Sequence, residues 1–129
     1  MRKNNNTKPI TIGTFRLGSV RVSLDADPML EGGEFNLMEA RITVGFSQNS
    51  WSEVVGILLH EALEFNLMLR GCKYRSIPIV NYDTADTTFL MDHSRFGRSC
   101  SDVGTFLSNA LPALAKEFDK NQRRSKLKA

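Results

Sequence analysis

Apolar and polar positions along the chain fall into two regimes. Between positions 10 and 46 the apolar residues tend to recur at every second place. They run Ile10, Ile12, Phe15, Leu17, then Val20, Val22 and Leu24 alternating with Arg21 and Ser23, then Phe35, Leu37, and finally Ile42, Val44, Phe46. A period of two belongs to a strand with one buried face. Gly18-Ser19 predicts the turn between the first two runs. Pro28, which has no N–H to give to a ladder, predicts the end of the second, and Gly32-Gly33 a further turn. From position 51 the pattern becomes helical. Ser50 followed by Glu53 is a capping box and Gly71 a left-handed stop, so a helix is predicted over 51–70. Arg70 and Lys73 fall at the negative end of its dipole. Short extended pieces are predicted at 76–82 and 87–91, around an Asp83-Thr84-Ala85-Asp86 turn. Asp92 caps a second helix, with His93 in its first turn. That helix runs through Phe96, Val103, Phe106, Leu107, Leu111, Leu114, Ala115 and Phe118, with Pro112 kinking or restarting it.

The fold class expected from these elements is α+β: a small, mostly antiparallel N-terminal sheet packed on a buried helix and on a second, long C-terminal helix. A chain of 129 residues suits one domain better than two, so a single domain is expected over 10–121. A polar, Asn-rich, disordered tail is expected at 1–9 and a basic, frayed tail at 122–129.

The first helix carries the candidate chemistry. Trp51, Val54, Val55, Ile57, Leu58, Leu59, Ala62, Leu63, Phe65, Leu67, Met68 and Leu69 occupy nearly every face of it, which predicts burial all round. Within it stands His60-Glu61-Ala62-Leu63-Glu64. Ionised carboxylates in an apolar setting cost several kcal/mol or more unless partnered, and a divalent cation is one partner that removes that cost. His60 and Glu64, four apart, project from one face and can converge on one point. Glu61 is offset by about 100° and can flank the site without ligating. This is the layout of the His-Glu-x-x-His zinc helix, in which the glutamate is general base, with Glu64 in place of the second histidine. The other histidine, His93, is the candidate third ligand. His60, Glu64 and His93 would then hold Zn2+, or another divalent metal, with one position open to water. Tyr74 or Tyr82, between the ligand segments, is a candidate to hold the oxyanion. The competing assignment makes His60 a hydrogen-bonded buried histidine and pairs Glu61 and Glu64 with Arg70, Lys73, Arg75 or Arg95.

Charge changes the picture little. The net charge of +3 is concentrated at the ends, in Arg2, Lys3 and Lys8 and in Lys120, Arg123, Arg124, Lys126 and Lys128. Such tails can touch nucleic-acid phosphates but more often serve only as solvated ends. No apolar run reaches the roughly 18 residues of a membrane span, and no apolar segment follows the basic start as in a secretory signal. A cytoplasmic location is the expectation, with Cys72 and Cys100 as free thiols.

Several stretches together resemble a group of small phage and prophage metallopeptidases of zincin-like type. The stretches are Gly33-Glu34, the strand Arg41-Ile42-Thr43-Val44, Leu58-Leu59-His60-Glu61-Ala62-Leu63-Glu64, and His93-Ser94-Arg95-Phe96. The resemblance covers most of the chain between Gly13 and Phe118. It implies metal ligation by His60, Glu64 and His93, Glu61 as base, a peptide or protein substrate, and the host cytoplasm as location. The anionic ligand at Glu64 lowers the net charge at the metal and weakens its acidification of water. Hence the alternative is a non-catalytic protein that keeps the zincin-like fold and binds a host or phage protein. Two histidines and a carboxylate also describe the triad of a mononuclear iron oxygenase, usually set on a β-barrel rather than on helices.

Overall fold

A computed structural model describes residues 8–75 and 87–128. The predicted piece at 76–82, the turn at 83–86 and Tyr82 lie outside the described residues. Two long strands, β1 (Ile10–Leu17) and β2 (Val20–Asp27), form a hairpin across Gly18-Ser19. Two short ones, β3 (Gly33–Asn36) and β4 (Arg41–Gly45), form a second. Alternation sends Val22, Leu24, Ala26, Ile42 and Val44 to one face, where all five are fully buried. The sheet order is β1-β2-β4-β3, so β4 inserts beside β2 in parallel and β3 becomes an edge. The other pairings are antiparallel, and with the two helices they make an α+β fold with a mostly antiparallel N-terminal sheet.

Helix α1 (Trp51–Leu69) begins and ends as its sequence signals predict. Glu53 Oε1 accepts from the Ser50 N–H at 2.9 Å, and Ser50 Oγ accepts from the Glu53 N–H at 3.3 Å. Hydrogen bonding to the carboxylate, from the Ser50 backbone N–H first and the Ser50 side chain second, holds the exposed Glu53 carboxyl below its ordinary 4.5. Its contribution to stability is present above that value and lost as pH falls through the lowered one. At the other end Gly71 adopts φ +70° and donates to Met68 O at 3.0 Å, while Cys72 N–H donates to Leu67 O at 2.9 Å. That pair of hydrogen bonds is the Schellman closure, and it turns the chain away from the helix. Val54, Leu58, Ala62 and Phe65 face the sheet, all fully buried.

A two-stranded ribbon of β5 (Lys73–Arg75) and β6 (Thr87–Phe89) leads to α2 (His93–Lys128). Asp92 caps α2, its Oδ1 accepting from the Arg95 N–H at 2.8 Å. The helix does not restart at Pro112, one of the two outcomes the sequence suggested, nor fray from Gln122, but continues to Lys128. Pro112 lies on the solvent side of the helix, while Ala110, Leu114 and Phe118 keep the flanking turns on the core. Helices α1 and α2 run antiparallel. The Trp51 and Phe118 rings lie 5.6 Å apart at one end, and Asn66 Nδ2 donates to Asp102 Oδ2 at 3.2 Å at the other. Among the described residues no helix is long and apolar enough to cross a membrane. Cys72 is a buried and Cys100 an exposed free thiol.

Candidate functional site on helix α1

Helix α1 is not buried all round. Its sheet-facing stripe occupies one side, and at about 100° per residue His60 falls some 200° around from Leu58. The His60 side chain is accordingly 67% exposed, against 10% for Glu61 and 22% for Glu64. Leu59 and Leu69 are likewise in solvent. Apolar residues on a helix do not by themselves define its buried side.

The three motif side chains nonetheless meet. His60 Nε2 lies 3.2 Å from Glu64 Oε2 and 3.6 Å from Glu61 Oε2. Helical spacing brings Glu64 one turn above His60, as expected for i and i+4. Glu61 points to the flank, into a cleft of about 500 Å³ between α1 and the turn that opens β3, where Glu31, Asn49, Ile57 and His60 also line the wall. Asn49 ties this rim together, its Nδ2 donating to Glu31 O at 2.5 Å and to Gly45 O at 3.0 Å.

Gly33 sets how closely β3 approaches α1. A Cβ there would lie 2.5 Å from Ile57 Cγ2, 3.0 Å from Glu61 Cγ and 3.2 Å from Thr43 O. Gly33→Ala should therefore push the edge strand off the helix and cost about 1–3 kcal/mol. In an Ile57→Ala background the penalty should shrink by at least about 0.5 kcal/mol, a coupling that a double-mutant cycle in urea measures. An unchanged penalty would mean that the close approach is not what requires glycine.

His93 stands apart from the cluster. It is the first residue of α2, exposed, and beyond Asp102 in the direction leading away from α1. At 1.5 Å per residue, the antiparallel helices put it roughly 20 Å along their axes from His60. The expected triad of His60, Glu64 and His93 is thus not assembled. Among the described residues no group of three or more His, Cys, Asp or Glu side chains is arranged to hold a metal ion. Position in the chain does not show which end of α1 the second helix starts from, and that misplaced His93. Arg70, a proposed partner for the glutamates, pairs with Asp102 instead. Tyr74 falls in β5. The chain matches no protein-family model, no curated protein and no solved structure.

Proposed function

We propose that this chain is a zinc-dependent hydrolase of the peptidase type, related to the small phage and prophage metallopeptidases it resembles. On this reading His60 and Glu64 hold the cation and Glu61 accepts a proton. The carrying observation is the convergence of His60 Nε2 with Glu64 Oε2 at 3.2 Å, with Glu61 Oε2 at 3.6 Å from the same nitrogen. A tetrahedral ion with ligands at about 2.0–2.2 Å separates neighbouring ligand atoms by roughly 3.3–3.6 Å, so the pair comes within a few tenths of an ångström of what zinc or a similar divalent metal needs. When bound, such an ion acidifies water and polarises a carbonyl. Glu61 is held by burial beside the pair and opens onto the cleft, where its Oε2 can take and return a proton. Among the described residues strand β3 pairs only with β4, and its first residue, Gly33, lines that cleft. An extended peptide can add to such an edge through main-chain hydrogen bonds, which favours a peptide substrate.

Metal analysis of chain purified without chelator tests this reading. About one zinc per chain is expected, lost in His60→Ala and in Glu64→Ala. His93→Ala should keep it, because His93 lies far from the pair. Loss of zinc in that variant would instead bring the first turn of α2 into the site. Equal zinc in His60→Ala would sink the assignment. A second reading, a non-catalytic protein that binds a host or phage protein, is favoured by the exposure of His60 and by a donor set of two among the described residues. Absence of bound zinc in the wild type would select it.

A further inference from the structure

At the opposite end of α1 a second cavity of about 500 Å³ opens, and its walls carry three arginines: Arg70, Arg95 and Arg98. Arg70 is committed. Its guanidinium donates to Asp102 Oδ2, and its Nε donates to Asn66 Oδ1 at 3.2 Å. Arg95 and Arg98 are exposed and, among the described residues, have no ion pair. Asp102 is the one carboxylate on the wall, so the cavity carries two positive charges in excess. The position sharpens this excess. Arg95 lies in the first turn of α2 and Arg98 in the second, and that first turn contains no acidic residue. Cations there oppose the helix dipole, and only the Asp92 cap offsets them. A bound anion would remove that cost. Leu69, well exposed, adds an apolar wall beside the arginines.

We infer that this cavity binds an organic phosphate monoester. A monoester carries a charge of about −1.5 to −2 near pH 7 and three acceptor oxygens, which match two unpaired guanidinium forks. A cavity of this size belongs to the roughly 300–1,000 Å³ class of small-molecule pockets, leaving room for the group that bears the phosphate to rest on the exposed Leu69 side chain. The site is separate from the His60 cluster, and its existence does not depend on zinc.

Calorimetric titration of the full chain tests it, with ribose 5-phosphate, adenosine 5′-monophosphate, inorganic phosphate and neutral adenosine as probes, all at matched ionic strength. Both organic monoesters should bind, more tightly than inorganic phosphate, and adenosine should not. Arg95→Gln with Arg98→Gln should weaken them at least about tenfold. Arg123→Gln with Arg124→Gln removes the same charge at the far end of α2 and should leave binding as in wild type. Both double variants alter exposed side chains, and circular dichroism verifies that each is folded. Three results would each overturn the inference: no monoester binding beyond that of matched sodium chloride, wild-type affinity in the Arg95/Arg98 variant, or organic monoesters binding no better than inorganic phosphate.

Discussion

Phe65→Ala should unfold the domain at a midpoint lower by on the order of 10–20 °C. Phe65 is fully buried and sits where α1 meets strand β3 of the sheet. It follows Leu58 and Ala62 on the sheet-facing stripe of α1, and its ring stacks edge-on against Phe35 of β3, with centroids 5.7 Å apart at 72°. Truncating a buried phenylalanine costs about 3–5 kcal/mol in lost transfer energy and cavity. That is a large share of the roughly 5–15 kcal/mol that holds a domain of this size together. For a chain between the small and medium size classes, a loss of that order gives the stated shift. Because Phe35 belongs to the edge strand beside the cleft, the loss also loosens one wall of the candidate site. Urea unfolding of Phe65→Ala and Phe35→Ala, singly and together, separates the two contributions, and the pair should be non-additive. A loss below about 1 kcal/mol for Phe65→Ala would mean that β3 and α1 are not held by this contact.

Much of this was legible in the chain because its signals are local. Alternation marked β1 and β2, Ser50 with Glu53 marked the start of α1, Gly71 its end, and Asp92 the start of α2. The convergence of His60 with Glu64 was legible too, since one helical turn fixes it. What was not legible depends on partners distant in sequence. Strand β4 lies between β2 and β3 because the second hairpin folds back, its turn anchored where Ser23 N–H donates to Ala40 O at 2.9 Å. Nothing in either strand's own residues encodes that order. The exposure of His60 was misjudged by counting apolar residues on α1 instead of asking which side the sheet covers. The continuity of α2 through Pro112 depends on which face the proline occupies, and the buried stripe of Val103, Phe106, Ala110, Leu114 and Phe118 settles that. Arg95 and Arg98 are one turn apart on α2, but only tertiary packing brings Arg70, the C-cap of α1, beside them.

On the proposed reading, Glu61→Gln should lower peptide cleavage by about 10²–10⁴-fold while leaving zinc in place, the range expected for loss of a general base. The three motif residues divide by burial, and the division suggests their roles. His60 and Glu64 meet at 3.2 Å toward solvent, where an ion can enter. Glu61 is the most buried of the three and borders the Gly33 wall, so it is the carboxylate held in one position. Fixed placement of a proton acceptor beside a nucleophile is where much of a hydrolase's rate arises. Glutamine keeps the shape and one acceptor oxygen but cannot take the proton, so the substitution separates proton transfer from packing and from ligation. Glu64→Gln should behave differently, losing metal and activity together. Cleavage retained in Glu61→Gln would remove Glu61 from the chemistry. A wild type that binds zinc yet cleaves none of a broad peptide panel would leave the cluster as a metal-holding or partner-binding feature. The anionic ligand at Glu64, which weakens the acidification of bound water, gives a physical reason for that outcome.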